Sequence, residues 1–190
     1  MVISNKWCVI KLQTLSNIEV ILLSIVNENP SYAYEIDKVI DNRDMRRWVR
    51  VGVASIYQVL KRLEERHLVY SKKEKEGRMP ERNRYYITEH GRLALTETSK
   101  KLLSELEWYY LDLNVGLETS DLMTPGEIAD CLTRRLAKVQ ANQARLKQIY
   151  AEKDTSFKKK VIIKNQILFR EAEEIFIKEF LQELYKSIYQ

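Results

Sequence analysis

The chain has 190 residues, 45% of them hydrophobic and 31% charged, with a formal net charge of +5. That suffices for a packed core, in one large domain or in a small domain with a helical extension, and only 5 Gly and 3 Pro leave long helices as the natural expectation. Two cysteines, Cys8 and Cys131, exclude a disulfide framework, match no metal-ligand spacing and point to a reducing cytoplasm.

Residues 1–14 hold Trp7 and Cys8 without a clear period and are set apart as an N-terminal arm. Ser16 and Glu19 form a capping box, and Ile18, Leu22, Leu23, Ile25 and Val26 follow as a first helix ending near Asn29-Pro30. Its apolar run falls well short of the roughly 20 residues that span a bilayer and carries no cleavage pattern, so it reads as a buried helix and no membrane role is expected. Ser31 is predicted to cap a second helix from Tyr32 to about Ile40. The polar stretch Asp41–Arg50 carries Arg43, Arg46, Arg47 and Arg50 and joins helices two and three, with Trp48 as an apolar anchor.

The third helix organises the chain. Ile56, Leu60 and Leu63 recur at i, i+4 and i+7 and make one apolar stripe, while Gly52 and Ser55 stand where a permissive residue and a cap are needed. The opposite face carries Tyr57, Gln58, Lys61 and Arg62, groups suited to phosphates and base edges. The helix ends at Arg66-His67, and two strands follow, Leu68–Glu74 and Arg84–Thr88, with a loop between them in which Gly77 and Pro80 turn the chain. Lys72, Lys73, Lys75, Arg78, Arg82 and Arg84 line this hairpin.

Thr88 is predicted to cap a long helix whose near-heptad seam runs through Leu95, Leu102, Leu106, Tyr109 and Leu113. Thr124, Pro125 and Glu127 mark the next helix start, and Leu132, Leu136, Val139, Leu146 and Tyr150 follow at heptad-like spacing. After a lysine-rich break over residues 153–160, the last helix, about 159–189, carries Leu168, Phe169, Ala172, Ile175, Phe176, Phe180, Leu184 and Ile188. One neighbouring helix cannot hide so wide a band, which calls for a second subunit. The expected fold is mainly α with a small two-stranded β-wing: a winged helix-turn-helix over residues 15–92, then a helical dimerisation region over 93–190.

Charge sharpens the functional expectation. Between Arg43 and Arg84 stand 13 Lys or Arg against 6 Asp or Glu, a local +7 that exceeds the whole-chain value and calls for a polyanionic partner. Ser55 and the free amides at the start of the third helix suit a phosphate, as do the hairpin cations; Tyr57, Gln58, Lys61 and Arg62 suit base edges. Ten acidic residues between Ser31 and Gly91 keep a second reading open, a winged-helix module whose basic face takes a protein partner. There is no Walker loop, dinucleotide turn or metal cluster, and His67 and His90 have no acid or thiol partner in motif spacing, so neither catalysis nor a cofactor is expected.

The order of elements resembles the PadR family of bacterial transcriptional regulators. Leu15-Ser16, the run Pro30 to Ile36, the run Ser55 to Leu60, Arg62 to Glu64, Leu68-Val69, Pro80 to Arg82, Tyr85 and the run Ile87 to Gly91 all fall in family order, covering about residues 15–92. Four positions depart from the pattern: Ala33 and His67 stand where Gly is usual, Gln58 replaces a frequent Pro, and Asn83 sits where a basic residue is common. If position 67 needs a positive φ, its side chain costs roughly 1 kcal/mol. The resemblance implies a homodimer on double-stranded DNA, a repressor reading a near-palindromic promoter site with recognition helices about 34 Å apart. The C-terminal half resembles the long-tailed branch, implying dimerisation through tail residues such as Leu106, Leu168, Phe169, Ala172, Ile175, Phe176 and Phe180. Family members commonly respond to small aromatic molecules, and Trp108, Tyr109 and Tyr110, expected at the end of the long helix, are the candidate effector residues.

Overall fold

The computed structural model describes residues 15–75, 81–153 and 155–188; the expected N-terminal arm, the turn residues Gly77 and Pro80, the hairpin cation Arg78 and the side chain of Ile188 lie outside the described residues. The chain divides into two compact units, Met1–Glu107 and Trp108–Gln190.

In the first unit, α1 (Asn17–Glu28) starts at the predicted box: Glu19 accepts the Ser16 amide at 2.8 Å and its hydroxyl at 2.9 Å. Glu19 is buried, and it also accepts from Arg66 at 3.0 Å, tying the start of α1 to the end of the third helix. Burial acts to raise its pKa, but the Ser16 hydrogen bonds and the Arg66 guanidinium outweigh it and hold the carboxyl below the ordinary carboxylate value.

Past Pro30 the sequence expectation is corrected. Ser31 does not cap a helix. Ser31 and Tyr32 form a short strand, β1, paired antiparallel with a later strand through Ser31↔Tyr85 and Tyr32↔Arg84. The Ser31 hydroxyl donates back to the Asn29 carbonyl at 2.8 Å, and α2 (Ala33–Asn42) begins one residue later, with Glu35 accepting the Tyr32 amide at 3.0 Å. The backbone at 31–32 is satisfied by a partner some 50 residues away in sequence, which no local pattern announces.

A 3-10 turn, Met45–Arg47, joins α2 to α3 (Val53–Glu65). Trp48 is not the anchor of this link, being 42% exposed; Val49 and Val51 are buried instead. Arg46 donates to the Val51 carbonyl at 3.1 Å and pairs with Asp37 and Asp41, fixing the approach to α3. Gly52, in extended conformation, is the N-cap; Ser55 lies inside the first turn. The predicted stripe is buried, with Val59 added to Ile56, Leu60 and Leu63. These join Leu22, Leu23, Ile36 and Ile40 as fully buried side chains, each stabilising the fold by about 1.5–3 kcal/mol relative to exposure.

α3 stops in a Schellman arrangement: His67 donates to the Glu64 carbonyl and Leu68 to the Leu63 carbonyl, both at 2.9 Å, with His67 at φ 56°. The wing strands are β2 (Val69–Glu74) and β3 (Arg82–Ile87), in register Val69↔Ile87 through Glu74↔Arg82. With β1 they make a three-stranded sheet, order β1-β3-β2, one strand more than expected. Thr88 then caps α4 (Glu89–Ser104), accepting the Gly91 amide at 2.9 Å. A Cβ at Gly91 would stand 2.1 Å from the Leu68 carbonyl oxygen, so only glycine lets α4 cross the start of the wing here. α4 ends at Ser104, and residues 105–111 are not helical; the continuous seam from Leu95 to Leu113 does not form, and Trp108, Tyr109 and Tyr110 sit in this irregular stretch.

In the second unit, α5 (Asp112–Glu118) precedes α6 (Pro125–Ala151), whose predicted capping box is present: Glu127 accepts the Thr124 amide at 2.8 Å. α6 and α7 (Phe157–Ile188) form an antiparallel pair. Ala129, Leu132 and Val139 pack with Ile177 and Leu181, and Leu146 packs with Ile163 and Ile167. Arg135–Glu173 and Lys147–Glu171 ion pairs, at 2.6 and 3.0 Å, flank the seam.

Two variants test this account of the first unit. Changing His67→Gly removes the left-handed strain and is expected to raise the urea midpoint, by about 0.5–1 kcal/mol of stability. The folded pKa of Glu19 is depressed, so its contribution is present above the unfolded carboxylate value and lost as pH falls through the folded one. Glu19→Gln should therefore cost about 1–3 kcal/mol at neutral pH and flatten the loss of stability on acidification, measured by thermal melting from pH 7 to 3.

Candidate nucleic-acid interface

The buried stripe of α3 leaves its other face in solvent. Val53, Tyr57, Gln58, Lys61 and Arg62 are all exposed there, spaced so that 57, 58, 61 and 62 share one face of the helix. Lys61 meets Glu65 at 3.9 Å, an exposed i,i+4 pair worth about 0.3–0.5 kcal/mol and easily exchanged for a phosphate or base. Arg62 pairs with no acidic group among the described residues.

Strand alternation sorts the wing residues into two sets. Val69, Ser71 and Lys73 lie opposite Ile87, Tyr85 and Asn83 on the face toward the core; Tyr70, Lys72 and Glu74 lie opposite Tyr86, Arg84 and Arg82 on the other. The inner face holds the wing to α3: Val69, Tyr85 and Ile87 are buried, and Ser71 donates its amide and hydroxyl to Glu64 at 2.9 and 2.7 Å. On the outer face Tyr70 and Tyr86 stack at 5.2 Å, with Lys72 over the Tyr86 ring at 5.3 Å.

The cations of the hairpin are not equivalent. Arg84 donates to the Pro30 carbonyl at 3.1 Å and to Glu74 at 3.3 Å, and lies over the Tyr32 ring at 5.2 Å, so it serves to join β1, β2 and β3. The Tyr86 hydroxyl, with Arg84 and Lys72, holds the Glu74 carboxyl below its ordinary pKa. Lys72, Lys73, Lys75 and Arg82 form no direct ion pair among the described residues and stand in solvent. Ahead of α3, Arg43 pairs with Glu28 and Arg47 with Asp44, and Arg66 behind it pairs with Glu19. Much of the basic excess seen in the sequence is thus neutralised internally.

Between α3 and the wing lies a cleft of about 360 Å³ lined by Tyr32, Ala33, Tyr34, Tyr57, Glu81, Arg82, Asn83 and Tyr85. Tyr32 and Tyr34 stack at 5.8 Å, and the Arg82 guanidinium lies 5.2 Å from the centre of the Tyr34 ring. Burial pushes the Tyr85 phenol up, a hydrogen bond with Asn83 pulls it down, and the nearby Glu64 and Tyr57 oxygens add to the rise. Two residues singled out from sequence, Tyr57 and Arg82, meet here although they lie on different elements. Tyr34 and Asn83 join them; the sequence placed Tyr34 in the family pattern and Asn83 among the departures from it, but only the pairing of β1 with β3 brings Tyr34 to the wing.

The tail residues divide differently from the expectation. Ile163, Ile167, Ile177 and Leu181 face α6, whereas Leu168, Phe169, Ala172, Ile175 and Phe176 are exposed and Phe180 is half-buried. Tyr109 meets Phe169 edge-on at 5.4 Å, while Leu106, Trp108 and Tyr110 are open to solvent. No helix among the described residues is long and apolar enough to cross a membrane, and no cluster of His, Cys, Asp or Glu among them could hold a metal.

Comparison with known proteins bears on the fold. Residues 22–97 match the model of the Transcriptional regulator PadR-like family. The fold is similar to that of Bacillus subtilis PadR in complex with operator DNA (TM-score 0.71, 15% identity, 90% of this chain and 99% of that one covered). It is also similar to Bacillus subtilis PadR in complex with p-coumaric acid (0.70, 14%, 88% and 98%) and to a PadR-like transcriptional regulator from Bacillus cereus (0.61, 18%, 89% and 98%). No curated protein matches the sequence. The family model spans α3, the wing and most of the elements that hold them, so this stretch of the chain is similar to PadR-like transcriptional regulators, and the fold is the one those structures share.

Proposed function

We propose that this DNA-binding regulator acts as a homodimeric repressor, occupying a near-palindromic promoter site and released from it by a small aromatic molecule. The observation that carries the reading is the exposed polar face of α3, with Tyr57, Gln58, Lys61 and Arg62, beside a wing whose Lys72, Lys73, Lys75 and Arg82 are left for phosphates. Base edges then meet the helix, and counterion release by the wing cations supplies affinity. Ser55, in the first turn of α3, adds a hydroxyl to the amides there. Arg78, outside the described residues, adds to the cationic set by its place in the sequence between the two strands.

The exposed strip of Leu168, Phe169, Ala172, Ile175 and Phe176 supports dimerisation, because α6 already fills its seam with other residues and leaves this one in water. Leu106, in the first unit and 87% exposed, is a separate candidate for dimer contacts. Bacillus subtilis PadR has been captured with p-coumaric acid; an aromatic effector here would find Trp108, Tyr109 and Tyr110 as ring partners, and would act only by binding the DNA-competent and incompetent states unequally.

A titration with duplex DNA at several salt concentrations tests the reading. Log affinity should fall steeply with log salt, by about 0.9 per phosphate neutralised, and a flat response would replace duplex DNA with a protein partner. Lys61→Ala should weaken a site selected from a random library about tenfold, with much less effect on mixed-sequence duplex. Equal losses on both would make Lys61 a phosphate contact. Separately, Phe176→Glu places a charge in the exposed apolar strip and should convert the dimer to monomer in sedimentation, with weaker DNA binding. A variant that kept two-fold mass would remove this face from the interface.

A further inference from the structure

We propose that Gln58 reads an adenine in the major groove, its side-chain amide pairing with both the N6 amino group and N7 of that base. The inference rests on the DNA-binding reading and assigns one base of the site to one side chain.

Helix geometry singles this residue out. Successive residues turn by about 100°, so Ala54, Gln58, Lys61 and Glu65 fall along one line of α3, at i, i+4, i+7 and i+11, and all four are exposed. That line lies opposite the buried stripe of Ile56, Val59, Leu60 and Leu63. Tyr57 and Arg62 stand on its two flanks. Tyr57 lines the cleft toward the wing with Arg82 and Asn83; Arg62 lies on the other side, one turn before the Arg66 that reaches Glu19 of α1. A helix laid in the major groove by its outward line presents that line to the groove floor. Base edges are met chiefly by the N-terminal part of such a helix, and in that half of α3 the central line holds only Ala54 and Gln58. Ala54 adds a single methyl group, which lets the helix approach closely. Glu65 sits in the last turn, with Lys61 at 3.9 Å.

The chemistry of the amide then selects the base. Glutamine carries one acceptor and one donor group in a single plane. Adenine alone presents the matching pair on its major-groove edge, an amino donor at N6 beside the N7 acceptor. Guanine offers two acceptors there, cytosine an amino donor, and thymine an acceptor beside a methyl group. The Gln58 N–H donates to N7, and its carbonyl accepts from N6–H. Gln58 is free to make both bonds, having no hydrogen-bond partner among the described residues. Being neutral, it adds discrimination between sequences without releasing counterions. It also stands where the PadR pattern frequently has Pro, so this contact belongs to the chain and not to the pattern.

Binding-site selection from a random duplex library tests the assignment with wild type, Gln58→Ala and Gln58→Glu. Affinities on the selected site and on a mixed-sequence duplex follow across a salt series, with thermal melting to confirm folding. Wild type should favour adenine about tenfold over other bases at one position of each half-site. Gln58→Ala should erase that preference, leave the preferences at other positions, and bind mixed-sequence duplex with the same affinity and salt slope. Gln58→Glu should turn the preference to cytosine, because a carboxylate only accepts and cytosine presents an amino donor. A wild type without the adenine preference, or a preference that survives Gln58→Ala or Gln58→Glu, would overturn the proposal. So would an equal loss by Gln58→Ala on selected and mixed-sequence duplexes. Wild-type protein that binds neither duplex would instead remove the DNA reading itself.

Discussion

Leu68 is the residue on which the geometry of α3 and the wing depends. Its amide closes the last turn of α3 onto the Leu63 carbonyl, and its carbonyl accepts the Thr88 amide where the wing ends and α4 begins. The absence of a side chain at Gly91 lets α4 press against that same carbonyl. The backbone of one residue thus sets where α3 stops, where the wing leaves and where the next helix returns. The left-handed backbone at His67 is the cost of making the turn in a single residue. Were this junction looser, the helix and the wing would be two separate polar surfaces, and no cleft of fixed width would lie between them.

The electrostatics follow from the same packing. A winged helix this small brings its elements close, and each approach consumes charges: Arg66 joins α3 to α1 through Glu19, Arg46 pins the link before α3, and Arg84 binds three strands. What remains for a polyanion is the outward part of the basic set, Arg50, Lys61, Arg62, Lys72, Lys73, Lys75 and Arg82 among the described residues. Fixed ion pairs of this kind hold geometry more than they add stability, since desolvation offsets much of their attraction. Their value here lies in keeping the outward cations at fixed spacing.

In the second unit α7 carries apolar residues on two sides, of which α6 covers one. α7 turns Ile163, Ile167, Ile177 and Leu181 to α6 and presents Leu168, Phe169, Ala172, Ile175 and Phe176 to solvent.

Much of the first unit is legible in the residues alone, because helix caps and apolar periodicity are local. The Ser16/Glu19 and Thr124/Glu127 boxes, the stripe Ile56, Leu60 and Leu63, and the Thr88 cap act within a turn or two of the chain, and each stands where its spacing places it. The sign and site of the basic excess are equally plain from composition. Non-local pairing decided the rest. Ser31 has the chemistry of a cap, but β3 offers its backbone a better set of hydrogen bonds, and that choice carries Tyr32 and Tyr34 to the wing. Periodicity suggests a helix continuing past Ser104, yet it cannot say whether a neighbour will cover the seam, and the chain leaves the helix there. Which cations face solvent, and which half of the apolar band on α7 meets α6, depend on partners that arrive from distant parts of the sequence. Those were settled only when the tertiary fold brought them into contact.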